Sequence, residues 1–116
     1  MSLDGTKWLN NFKKKLNKAV ENVADIGLEV LKESVSEPYP PPSAPETPPH
    51  LRSGNLRDGL TVTVDGIDIE FDSSASYSAD VEFGTSRMQP RPFLRPHKQW
   101  AKMNFLNLLA EELEKL

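Results

Sequence analysis

The sequence predicts an α+β domain: a long N-terminal helix, a proline-rich extended arm, a three-stranded antiparallel sheet with an Asp-Gly hairpin, and a C-terminal helix packed on the sheet. Three observations carry this prediction. Apolar residues recur at helical spacing over residues 6–34, apolar and polar residues alternate strictly on both sides of Asp65-Gly66, and a second helical stripe runs over residues 97–116. With 116 residues, the whole of 1–116 reads as one domain large enough for a modest core.

The first helix is marked by Trp8, Leu9, Phe12, Leu16, Ala19, Val20, Val23, Ile26, Gly27, Val30 and Leu31 on one face. Steps of three and four place them together, while Lys13, Lys14, Lys15, Lys18, Glu21, Asp25, Glu29 and Lys32 take the other side. Asp4 or Thr6 can cap its start. The lysine cluster points to a solvated face or to contact with a phosphate backbone or an acidic partner.

Residues 37–49, EPYPPPSAPETPP, hold seven of the ten prolines. Proline has no amide donor, so helix and central strand are excluded and residues 37–52 read as an extended arm.

In LTVTVDGIDIEF, Leu60, Val62 and Val64 alternate with threonines, and Ile67, Ile69 and Phe71 with Asp68 and Glu70. Asp65-Gly66 is the preferred pair for a two-residue type I′ turn. That turn sets Val64 opposite Ile67, Val62 opposite Ile69 and Leu60 opposite Phe71, with all six apolar side chains on one face. Residues 79–83 alternate in the same way and read as a third strand ended by Gly84.

The last helix is expected over 97–116, with Pro96 at its first position and Trp100, Met103, Leu106, Leu109 or Ala110, Leu113 and Leu116 as its buried stripe.

Composition limits the function. There is no Cys, so disulfides, thiolate catalysis and cysteine-ligated zinc are excluded. A net charge of −3 argues against a protein that grips DNA by overall charge. No apolar run is long enough to span a membrane, and the opening MSLDGTKWLNNFKKK lacks the apolar core of a signal peptide, which predicts a protein made and used inside a cell, unless it leaves as part of something larger. His50 and His97 lie far apart, and Asp65, Asp68, Glu70, Asp72 and Glu82 read as a solvated sheet face rather than a metal site. No set of nucleophile, base and oxyanion donors assembles, so neither enzymatic activity nor a cofactor is expected.

What remains is VEFGTSRMQPRPFLRP. Arg91 and Arg95 each precede a proline and are biased to extended backbone. Met88, Arg91, Pro92, Phe93, Leu94 and Arg95 make a preset segment of the residue types enriched at interface centres, which predicts a contact with a neighbouring subunit or protein. Asp80, Glu82, Asp68 and Glu70 are the acidic candidates to meet its arginines. The bland alternative is a rigid lead-in to the last helix, with Phe93 or Leu94 in the core and the arginines paired within their own subunit.

Residues 77–96, YSADVEFGTSRMQPRPFLRP, resemble the phage tail-component family typified by gene product ten of the lambdoid coliphage HK ninety-seven. That family shows a tyrosine, a V-E-x-G-T strand end, a methionine, and R-P-F-L-R-P before the last helix. Tyr77, Val81, Glu82, Gly84, Thr85, Met88, Arg91, Pro92, Phe93, Leu94, Arg95 and Pro96 match. SGNLRDGL resembles its T-G-x-L-R-x-S-I motif through Gly54, Leu56 and Arg57, with Ser53 in place of Thr and Gly59-Leu60 in place of Ser-Ile. Pro90 and His97 stand where the family usually has alanine.

The resemblance implies a structural virion protein of the neck, a head-tail connector or tail-completion ring of a siphovirus or prophage, assembled in the host bacterial cytoplasm. Its implied partners are copies of itself (six, or else twelve), head-closure or adaptor proteins, the tail terminator or tail tube, and DNA passing without sequence recognition. No membrane is involved. The alternative from another class is a monomeric adaptor whose proline-rich arm is bound by a partner domain.

Overall fold

A computed structural model describes residues 5–37, 43–44, 46–50 and 54–116. The elements run α1 (Gly5–Ser34), α2 (Asn55–Asp58), β1 (Leu60–Asp65), β2 (Asp68–Ser73), α3 (Ser78–Phe83) and α4 (Leu94–Glu114). Among the described residues the architecture is α+β with two strands rather than three: β1 and β2 form a two-stranded antiparallel sheet. The Asp4 cap and half of the proline-rich arm, residues 38–42, 45 and 51–52, lie outside the described residues.

The core forms where α1, the hairpin and the start of α4 meet. Leu31, Val35, Leu60, Phe71 and Phe93 are buried together, with Leu28, Leu56, Val62, Ile69, Val81, Leu94 and Ala101 packed around them. Gly27 permits this approach: a Cβ there would lie 2.6 Å from Cζ of Phe71. Asn22 donates to Glu112 at 3.4 Å, while the Gly27 carbonyl faces His97, so α1 and α4 run antiparallel.

Three sequence expectations need correction. The hairpin pairs Val64 with Ile69, Val62 with Phe71 and Leu60 with Ser73, two residues from the expected register. The turn is centred on Gly66-Ile67, with Gly66 at φ 64 and Ile67 outside the positive-φ region, the pattern of a II′ rather than a I′ turn. A slip of two keeps every side chain on its face, so the apolar face survives the change.

The expected third strand at 79–83 is instead the short helix α3. Five alternating residues specify a strand weakly. The helical form carries Glu82 inward, to 3% exposure, where a strand would have left it beside Asp80 in water.

The last helix begins at Leu94, earlier than expected, with Pro96 third rather than first. Its expected stripe is also divided. His97, Ala101, Phe105, Leu108 and Glu112 face inward, fully or half buried, whereas Met103 and Leu106 are each 75% exposed. At the other end of the chain, residues 5–15 of α1 are exposed throughout. The molecule is accordingly elongated, 71 × 23 × 21 Å.

Candidate assembly interface

The loop between α3 and α4 is a closed, rigid structure. Gly84 ends α3 with φ 75, and its amide donates to the Asp80 carbonyl at 2.8 Å. A Cβ on Gly84 would lie 2.8 Å from the Pro90 nitrogen and 2.9 Å from the Met88 oxygen, so the loop folds back directly over it. The Thr85 amide donates to the Met88 carbonyl at 3.0 Å, and the Arg87 amide to Thr85 Oγ1 at 3.1 Å. At the base, the Arg91 amide donates to the Val81 carbonyl at 2.7 Å. Ser86, Arg87 and Gln89 are left pointing into solvent, with Met88 half buried.

Glu82 joins this loop to α4. Its Oε1 accepts the amides of Phe93 at 3.0 Å and Leu94 at 2.8 Å, and its Oε2 accepts the Arg95 amide at 3.2 Å and Arg95 Nε at 2.9 Å. Arg95 Nη2 also donates to the Glu82 carbonyl at 3.1 Å, and the guanidinium lies 5.0 Å from the centre of the Phe83 ring. A helix start leaves its first amides without intrahelical partners. Here a carboxylate eleven to thirteen residues upstream accepts them. Pro96, next in line, has no amide to satisfy. Burial alone would raise the Glu82 pKa; the amides of Leu94 and Phe93, the Arg95 side chain and the Arg95 amide outweigh it and hold the carboxyl below its usual value.

The predicted contact residues therefore have separate places. Phe93 is 1% exposed and Pro92 is buried, both as internal anchors. Leu94 is half buried against the core. Arg95 pairs with Glu82 of its own chain while its side chain remains 55% exposed. Arg91 is half buried, and its Nε donates to the Ser43 carbonyl at 3.2 Å. The Glu46 amide donates to the Pro90 carbonyl at 2.9 Å. The described part of the proline-rich arm thus docks on this same segment.

The second motif lies elsewhere. Gly54, at φ 85, opens α2, Leu56 packs on the core, and Arg57 pairs with Asp58 at 3.3 Å. Tyr77 precedes α3 and is exposed. Lys13, Lys14, Lys15 and Lys18 stand on the exposed half of α1, with Lys18 3.9 Å from Glu21. Among the described residues, no group of three His, Cys, Asp or Glu side chains could hold a metal ion.

A family comparison matches residues 6–84 to the family described as "Bacteriophage HK97-gp10, putative tail-component". That match covers more than half of the sequence. The chain belongs to this phage tail-component family. No curated protein and no solved structure gave a match. A tail component is a structural part of the virion and assembles with other phage structural proteins. The matched residues include α1, the hairpin, α2 and the start of the Gly84 loop; Arg91–Pro96 of the resemblance lie beyond them. Among the described residues, no helix is long and apolar enough to cross a membrane.

Sequence reasoning missed the cap made by Glu82. One signal was present: the residues before α4 include no Ser, Thr, Asp or Asn to cap it locally. A helix start of that kind needs an acceptor from elsewhere in the chain.

Proposed function

We propose that this chain is a neck protein of a tailed phage or prophage of the siphovirus type, a tail-completion or connector ring between head and tail. Six copies surround the DNA channel, twelve being the alternative count. Its neighbours are head-closure or adaptor proteins on one side and the tail terminator or tail tube on the other. DNA passes without sequence recognition, past lysines such as Lys14 and Lys18. The protein has no enzymatic role.

The observation that carries this reading is the rigid 84–91 loop in a chain of a tail-component family. A loop closed over Gly84 and bonded to Val81 loses little entropy when it docks, which favours association. Phe93 and Pro92 hold it from inside, and Met88, Arg87 and the outer atoms of Arg91 and Arg95 supply the contact surface.

The test is head–tail joining in a phage carrying Arg87→Glu with Met88→Asp. Filled heads and free tails that fail to join are expected, while the isolated subunit keeps its melting temperature. Normal joining by this variant would overturn the reading.

A further inference from the structure

The exposed half of α1 carries large apolar side chains that are open to solvent. Trp8 is 67% exposed, and Leu9 and Phe12 are exposed beside it. Trp8 and Phe12 stack at 5.7 Å, which fixes their rings as one surface. Lys15 lies one i,i+7 step from Trp8 and Lys13 one i,i+4 step from Leu9, so lysines border this stripe on both sides. Residues 5–20 contain five lysines and no acid, although the chain as a whole is at −3. The rest of the molecule is correspondingly acidic.

The body of the same subunit holds an apolar groove of about 460 Å³ between the hairpin and α4. Val23 and Phe71 floor it, and Ile67, Ile69, Trp100 and Phe105 wall it. Asp68 and Glu70 stand on the β2 side, and Lys98 and Lys102 on the α4 side. Ile67, at 59% exposure, forms its outer lip. A straight helix keeps Leu9 about 20 Å from Val23, at 1.5 Å per residue, so the arm cannot fill its own groove.

We propose that residues 5–16 of one copy dock in the groove of the next, with Trp8 and Phe12 entering it and the bordering lysines meeting Asp68 and Glu70. An apolar, basic arm and an apolar groove whose β2 edge carries Asp68 and Glu70, placed apart on one chain, make a head-to-tail contact, with the lysines of the arm turned to the β2 edge and away from Lys98 and Lys102. Such a contact repeats from copy to copy and closes into a ring when its rotation allows. Trp at the centre of such a contact is a residue type that carries much of the binding energy. The inference deepens the ring reading above and rests on it only for closure.

The test uses two full-length variants changed at exposed positions. One has a damaged arm, Trp8→Asp with Phe12→Asp; the other has a damaged groove, Ile67→Lys with Glu70→Lys. Light scattering is followed as protein concentration rises, with circular dichroism as the control for folding. The parent is expected to self-associate and each variant alone to stay monomeric. An equal mixture is expected to give a heterodimer and nothing larger, because each variant keeps one working patch. A monomeric parent, parent-like association by either variant, or a monomeric mixture overturns the proposal.

A second measurement covers a variant that fails to fold. The chain has no Cys, so in Leu9→Cys with Asp68→Cys a disulfide can form only between the introduced thiols. A ladder of cross-linked species on a non-reducing gel is expected, and an uncross-linked monomer at concentrations where the protein associates contradicts the contact. A monomeric parent overturns the arm–groove contact and leaves the ring to the joining assay. Heterodimer formation together with normal joining by the Arg87→Glu, Met88→Asp phage overturns the neck reading and leaves this contact standing.

Discussion

Glu82 caps a helix that begins at Leu94: its carboxylate accepts the Leu94 amide at 2.8 Å from twelve residues upstream. The same carboxylate takes the amides of Phe93 and Arg95 and the Arg95 guanidinium. One side chain therefore closes the loop, starts α4 and fixes where Phe93 enters the core. An anion at a helix N-terminus also meets the positive end of the helix dipole. The segment that reads from sequence as an interface anchor is thus first an internal brace, and only its outer atoms are left for a partner.

Removing the Glu82 carboxylate leaves up to three amides and a guanidinium without their acceptor. Glu82→Ala is expected to cost on the order of 3 kcal/mol, the scale of buried donors left unpaired. Glu82→Gln keeps one acceptor oxygen and should cost about 1 kcal/mol, the scale of a single cap. Urea denaturation of both variants checks this; equal midpoints for parent and Glu82→Ala would contradict the cap.

Acid should weaken the fold in two stages. Burial lowers the His97 pKa, with the Gly27 carbonyl opposing, so the folded state resists a proton that the unfolded chain accepts. Its contribution is whole above the ordinary value of 6.5 and is lost as pH falls through the lowered folded value. Glu82 is also lowered, so its contribution is whole above the ordinary value of 4.5 and is lost as pH falls through its own folded value. Urea midpoints should begin to drop as pH falls through the ordinary His value of 6.5, and drop further as it falls through the ordinary Glu value of 4.5. His97→Phe should remove the first drop and Glu82→Gln the second. A first drop that persists in His97→Phe would show that another group carries it.

Of three glycines, Gly84 should be the least replaceable. Gly66, at φ 64 with open space around it, should lose about 1 kcal/mol on change to Ala, from the left-handed backbone alone. Gly27→Ala gains helix propensity but drives a Cβ into Phe71, for a net loss of about 1 kcal/mol. Gly84→Ala combines φ 75, ψ 175 with contacts of 2.8 and 2.9 Å to loop backbone and should lose about 3 kcal/mol or more. Thermal melts give the ranking, and a Gly84→Ala melt at or above that of Gly66→Ala would break it.

The sequence showed most where one period ran long. The spacing from Ala19 to Leu31 placed the buried face of α1, and alternation placed Leu60, Val62, Ile69 and Phe71 on one face of the hairpin. It could not choose the register, because a slip of two residues preserves every face, and Gly66-Ile67 turns the chain as well as Asp65-Gly66. Residues 79–83 were too few to oppose the pull of Glu82 on the start of α4. Met103 and Leu106 looked like core because α4 is apolar on two sides, and spacing does not say which side meets α1. Glu82 was one of four acidic candidates for the arginines, and pairing within the subunit was the alternative; spacing could not choose among them, because the pairing joins residues thirteen apart through a loop.

Arg91 and Arg95 look equivalent in sequence, each before a proline, yet they should respond differently to charge reversal. Arg95 bonds the Glu82 carboxylate and carbonyl and lies over Phe83. Arg95→Glu sets two carboxylates against each other at the start of α4 and should cost about 2 kcal/mol, held to that by the exposure of the side chain. Among the described residues, Arg91 Nε bonds the neutral Ser43 carbonyl, so Arg91→Glu should cost about 1 kcal/mol. A second reversal tells the ion pair from general loss: Glu82→Arg with Arg95→Glu should not recover the parent's stability, because the swapped arginine cannot accept the Phe93 and Leu94 amides. Urea midpoints for the three variants decide the matter, and full recovery by the swap would show that charge pairing, rather than amide capping, is what Glu82 contributes.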